Sequence, residues 1–171
     1  MEWIYTKNEN NTARYVLGTV GKNPLICFGI NPSTAAPENL DNTVKSVQRI
    51  AHHNGYDSWI MLNLYPQRAT NPNDMHRSCD VAALQDNIRE ISRIIQQYDQ
   101  PDLWVAWGTL IKKRPYLQHC LKQLLTELAG QTCNWVTIGE LTKQGHPHHP
   151  LYLRTDSTIK PFDILAYVEQ L

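Results

Sequence analysis

The 171-residue chain has no run of about eighteen apolar residues, so no segment of it is expected to span a membrane. Its start, MEWIYTKNENN, has no basic stretch followed by an apolar run, so a secretory leader is not expected either. Neither sign of charge is in surplus: Lys+Arg and Asp+Glu both number 16. That balance argues against a strong general affinity for a nucleic-acid backbone, although it leaves room for a local basic groove. Cysteine is scarce and unpaired. Cys27, Cys79, Cys120 and Cys133 form no C-x-x-C, which fits reduced thiols in a cytoplasmic protein. There are no repeats, low-complexity tracts or linkers, so residues 1–171 are expected to form one domain, long enough to bury a core unaided, and a monomer.

What the chain does have is an alternation of apolar runs and amphipathic segments. Residues 14–20 suggest a short early strand. Leu25 to Ile30 (LICFGI), Ser58 to Leu64 (SWIMLNL), Leu103 to Trp107 (LWVAW) and Trp135 to Ile138 are continuous apolar runs of strand length. Between them, residues 41–54, 81–98 and 117–129 carry apolar residues at helical spacing, and residues 164–171 suit a closing helix. Asp41 is placed to cap the first helix and Gly55 to end it. This order predicts an α/β fold: a three-layer sandwich around a mainly parallel four-stranded sheet. Ligands of such sheets bind outside the carboxyl ends of the strands. The residues of interest are then Asn31-Pro32-Ser33-Thr34, Asn63-Leu64-Tyr65, Gly108-Thr109 and the His-rich Gly145–Pro150.

Those four segments, in that order and each after an expected strand, resemble the motifs of the uracil-DNA glycosylase superfamily. GINPS at 29–33 is similar to its first motif, MLNLYPQRATNP at 61–72 to the strand whose Asn reads the base edge, LWVAWGTLIKK at 103–113 to its Trp-Gly strand, and HPLYL at 149–153 to its final His-Pro loop. A closer resemblance is to an uncharacterised family of small bacterial and phage proteins. Its pattern is matched by Asn31-Pro32-Ser33-Thr34-Ala35, Asp41 and Thr43, Asn63-Leu64-Tyr65, Arg68-Ala69-Thr70, Pro72, Trp107-Gly108 and Gly145–Tyr152.

The glycosylase resemblance implies a protein that takes a modified or deaminated base from DNA into a pocket, and a possible excision of it. A free nucleotide or nucleobase-like ligand is the alternative. Asn31 and His149 are the implied catalytic residues. Asn31 would orient a water beneath the sugar carbon, and it is too weak to act as a base. His149 would donate from a neutral imidazole to the departing base; His146 is the rival histidine. Asn63 either reads the ligand edge with its side-by-side donor and acceptor or braces backbone. Leu151 and Tyr152 are either a wedge that fills the gap left by a flipped base or core residues. Tyr65 and Trp107 are stacking candidates, with burial in the core as the other reading. Ser33, Thr34 and Arg68 would suit a phosphate or carboxylate. Alternatively, Asp41 with Thr43 merely caps the helix and Arg68 pairs with Asp41. No cofactor or metal is implied, because no Cys or carboxylate is spaced to join His146, His148 and His149 around a zinc ion.

Overall fold

The computed structural model describes all of residues 1–171. Seven strands form one mixed sheet: β1 (Trp3–Lys7), β2 (Arg14–Thr19), β3 (Pro24–Gly29), β4 (Ser58–Asn63), β5 (Asp102–Val105), β6 (Asn134–Ile138) and β7 (Ile159–Pro161). Their order across the sheet is β1-β2-β4-β3-β5-β6-β7. The centre, β4-β3-β5-β6, is parallel throughout. β1 and β2 extend it antiparallel on one side, and β7 closes it antiparallel on the other. The expected four-stranded sheet is therefore the parallel core of a wider, mixed one. The outer strands escape a pattern reading for physical reasons. β1 is only half-buried and ends in a lysine. β7 has three residues, one of them a proline, which is tolerated only at an edge.

Four helices complete the fold: α1 (Asn42–His53), α2 (Val81–Ile95), α3 (Tyr116–Leu128) and α4 (Ile164–Glu169). Three of them start on an aspartate cap. Asp41, Asp80 and Asp163 accept backbone N–H bonds from Val44, Ala83 and Ala166. Alternation along the strands sends successive side chains to opposite faces. Leu25, Cys27, Met61, Trp104 and Ala106 pack on one face with Val44, Val47, Ile50 and Ala51 of α1. Ile26, Phe28, Leu62, Val105 and Trp107 pack on the other with α2, α3 and α4. The chain is thus an α/β protein with helices on both faces of its sheet. No helix is long and apolar enough to cross a membrane.

Candidate functional site

The carboxyl ends of β3, β4 and β5 meet the start of α1 and the His-Pro loop around a cavity of about 130 Å³. Asn31, Asn63 and His149, far apart in sequence, all line it, as do Ser33 and Asp41. It opens on the α1 face of the sheet. Gly29, Met61, Asn63 and Ala106 reach it because they share the parity of the residues that pack on α1.

Asn63, the last residue of β4, is 1% exposed. Neither its Oδ1 nor its Nδ2 has a hydrogen-bond partner. Its backbone is held instead: Asn87 of α2 donates to the Asn63 carbonyl at 2.9 Å. An unpaired buried amide costs on the order of 1–3 kcal/mol, a cost that a pairing ligand would offset. Gly29 lies beside Asn63 in the parallel ladder. A Cβ there would stand 2.9 Å from Asn63 Oδ1, so the glycine keeps space for the amide.

Asn31 is turned the other way. Its Nδ2 donates to the carbonyls of Pro32, Gln67 and Ala69 at 3.1, 3.2 and 2.9 Å. Three carbonyl partners require the NH₂ on that side, which settles the amide orientation. The side chain ties the turn after β3 to the 66–70 loop and leaves Oδ1 as its one uncommitted polar atom. Ser33 Oγ and Thr70 Oγ1, 2.7 Å apart, join the same two segments at the cavity wall.

The two histidines divide cleanly. His149 lines the cavity and caps a 3₁₀ turn, with its Nδ1 accepting the Leu151 N–H at 3.2 Å. Nδ1 is therefore unprotonated, and Nε2 carries the hydrogen. Burial lowers the His149 pKa, opposed by the nearby Asp41 carboxylate, so the ring stays neutral at pH 7. His146 is buried on the core side, away from the cavity. Tyr167 Oη accepts from Trp107 Nε1 at 2.9 Å, so its own proton goes to His146 Nδ1 at 2.7 Å. With the Gly108 N–H to Pro147 carbonyl bond of 2.7 Å, this chain of contacts fixes the loop that presents His149.

Several expected site residues lie elsewhere. Tyr65 is wholly buried on the opposite face and bonds His76 Nδ1 and the Asp80 N–H. Trp107 is buried on that face too, one residue beyond the cavity-lining Ala106. Both are core residues and not stacking platforms: strand alternation carries Trp107 to the face opposite Ala106, whereas Tyr65 follows the end of β4 at Asn63, where alternation stops and the turn buries its ring on that same face. Arg68 lies outside the cavity and makes no ion pair with Asp41. It bonds the carbonyls of Ser33 and Ala35, the Tyr5 hydroxyl and Asn11 Oδ1. Thr34 is exposed beside Arg68 in a separate shallow surface depression. Leu151 and Tyr152 are not core: they are 49% and 80% exposed, directly after His149 and Pro150. Among basic residues outside the cavity, Arg154 and Lys160 are paired with Asp156 and Glu140, while Arg114 bonds the carbonyls of Asn73, Met75 and His76. No group of three or more His, Cys, Asp or Glu is placed to hold a metal ion.

The residue that the sequence reading missed is Arg14. It stands at the head of β2, is 2% exposed and lines the cavity. The available signal was a charge at the start of an otherwise apolar strand, RYVLGT.

Fold and cavity together define an α/β protein with a partly polar cavity at the carboxyl end of a parallel strand core. The chain belongs to the family described as protein of unknown function (DUF1643), whose model matches residues 14–151. That range contains every residue lining the cavity. No curated protein and no solved structure matches the chain. The resemblance to uracil-DNA glycosylases therefore rests on the motifs quoted above.

Proposed function

We propose that the cavity recognises a nucleobase, and that its biological ligand is a modified or deaminated base of DNA, flipped out of the helix as in the DNA glycosylases whose motifs the chain resembles. The observation that carries this reading is the Asn63 amide, buried, unpaired on both atoms and among the residues lining a cavity of about 130 Å³, so that a ligand pairing with it displaces the atoms that now cover it. Its adjacent donor and acceptor match the edge of a pyrimidine-like ring. A cavity below the roughly 300–1,000 Å³ of drug-sized sites suits one ring and little more. The exposed Leu151 and Tyr152 beside it support a wedge that replaces the flipped base in the stack. Lys112 and Lys113, which are in no ion pair, are available to backbone phosphates.

In this reading the chemistry is hydrolysis of the N-glycosidic bond. Asn31 Oδ1 accepts a hydrogen bond from the attacking water, and the Nε2–H of neutral His149 donates to the oxygen on which the leaving base gathers charge. Asn31 cannot take the water's proton, which passes instead to the departing base anion once the glycosidic bond has broken, so the reaction needs a base that leaves readily. The test is a panel of oligonucleotides carrying uracil, xanthine, hypoxanthine and bulky modified bases. Release of one free base, lost in His149→Ala, is expected; binding without release limits the protein to recognition; neither result on any member rejects the DNA reading.

A second reading, a free nucleobase or nucleotide as ligand, is favoured by the zero net charge, which supplies little general attraction for DNA. Equilibrium binding of free bases and nucleotides, compared with the same bases in oligonucleotides, separates the two.

A further inference from the structure

Arg14 is a buried cation without a counter-ion. The ion pairs of the chain are Arg89–Asp86, Arg93–Glu90, Arg154–Asp156 and Lys160–Glu140, all elsewhere. Of its guanidinium nitrogens, Nη1 alone donates within the chain, to the Ala35 carbonyl at 3.1 Å. Nε is sealed from solvent with no partner. Nη2 makes no hydrogen bond within the chain and completes with Nε the side-on edge that matches two oxygens of a carboxylate or phosphate, an edge a ligand reaches in full only by displacing the atoms that now cover Nε.

The surroundings make the unpaired guanidinium donors costly. The Arg68 guanidinium donates to the same Ala35 carbonyl at 3.2 Å and adds a second positive charge. Asp41 is the one carboxylate lining the cavity, and one of its oxygens already caps α1 at the Val44 N–H. Burial, then Arg68, push the Arg14 pKa down to about 10, with Asp41 opposing, so the side chain remains a cation at pH 7 that its setting disfavours. An isolated buried charge is tolerated only when something neutralises it.

We propose that Arg14 is the oxyanion anchor of the cavity, and that the ligand read by Asn63 carries a carboxylate or phosphate group that takes the unpaired Nε–Nη2 edge. The ring half of this statement rests on the nucleobase reading; the oxyanion half stands on Arg14 alone. A carboxylate attached to the ring fits the one-ring volume of the cavity, whereas a phosphate attached through a sugar needs the cavity to widen; these are the two sources of the group.

The experiment uses the full chain and two sets of probes. Thermal unfolding is followed in sodium phosphate, sodium acetate and sodium chloride at matched ionic strength and pH. Phosphate or acetate is expected to raise the midpoint above chloride, and Arg14→Gln to abolish the difference. Calorimetric titration then compares uracil with orotate, its ring carboxylate, and uridine with uridine 5′-monophosphate. The anionic member of one pair is expected to bind at least about tenfold tighter, and Arg14→Lys, which keeps the charge and loses the fork, to remove most of that gain. Preference within the first pair identifies a ring carboxylate, and within the second a phosphate. Phosphate and acetate shifts equal to chloride, or unchanged in Arg14→Gln, overturn the proposal. Should Arg14→Gln not fold, the wild-type comparison and Arg14→Lys decide it by the same criteria. If acetate or phosphate acts through Arg14 while the rings add nothing, the anchor stands and the nucleobase reading fails.

Discussion

Gly29 and Asn63 are neighbours in the β3–β4 ladder, and the missing side chain of the first makes room for the amide of the second. A Cβ at Gly29 would meet Met61 Cε at 2.8 Å and Asn63 Oδ1 at 2.9 Å. The methionine end can swing aside, but the amide is confined by a sealed wall. Gly29→Ala should therefore fold, at a cost of about 1–3 kcal/mol from overpacking, and displace the amide from the position in which the proposed reading has it meet a ligand. Urea denaturation measures the first effect and nucleobase titration the second. Unchanged affinity in a folded Gly29→Ala protein would remove Asn63 from the ligand site.

Asn63 itself makes the complementary case. Its two polar atoms are buried without partners, so an apolar residue of similar shape removes a desolvation cost and loses no protein hydrogen bond. Asn63→Leu should raise the stability of the free protein by about 1–3 kcal/mol while abolishing ligand binding. Such opposition is the mark of a side chain kept for function. A loss of stability in Asn63→Leu would mean that the amide has a structural partner.

The parallel core and its helices were legible because buried runs such as LICFGI and LWVAW are bounded by turn residues, and because Ile88, Ile91 and Ile95 repeat at helical spacing. That Asn31 and Asn63 would line one cavity was legible for a related reason: residues after parallel strands converge in space. Which face a residue occupies was harder to read. Trp107 and Ala106 are adjacent, yet only Ala106 borders the cavity, and a fully apolar strand shows no alternation by which to tell them apart. Arg14 stayed hidden because its burial depends on β2 lying between β1 and β4, a pairing of distant segments. Asn31 revealed its position but not its posture, since the three carbonyls that hold its amide come from two loops.

That posture changes what a substitution at Asn31 should do. Asn31→Ala strips a donor from the carbonyls of Pro32, Gln67 and Ala69, and the site is only partly buried, so a cost of about 1–3 kcal/mol is expected. Asn31→Asp should be worse, because a carboxylate would face three carbonyl oxygens. Chemical denaturation of both variants checks this. An Asn31→Asp protein as stable as the parent would show that the amide is not the brace between the two loops.

Acid should weaken the fold through its histidines. Burial holds the His149 and His146 pKa values below the ordinary 6.5, with Lys112 adding to the effect at His146 and Asp41 opposing it at His149. Below 6.5 the unfolded chain therefore binds more protons than the native one, so stability rises with pH there. The contribution is complete above 6.5 and is lost as pH falls through the lowered native values. Thermal unfolding midpoints between pH 5 and 8 should show this slope, and His149→Gln should flatten part of it. A midpoint that increases on acidification across that window would contradict the neutral imidazoles.

The two histidines should also separate in their effects. Tyr167 Oη is the shared partner of Trp107 Nε1 and His146 Nδ1. Tyr167→Phe preserves the ring and its packing on Trp107 and Phe162, but leaves a buried donor and a buried acceptor unpaired. Two such groups should cost about 2–4 kcal/mol. The cavity side of the loop is held independently by the Gly108 N–H to Pro147 bond, and His149 by its own bond to Leu151. Ligand affinity in Tyr167→Phe should then stay within about threefold of the parent, well under the tenfold that corresponds to 1.4 kcal/mol. His149→Ala should give the reverse, because the half-exposed imidazole contributes one bond to Leu151 and lines the cavity: a small change in stability and at least about a tenfold loss of affinity. Denaturation and titration of both variants provide the comparison. Affinity lost in Tyr167→Phe and retained in His149→Ala would assign the ligand contact to His146 and overturn the division of roles.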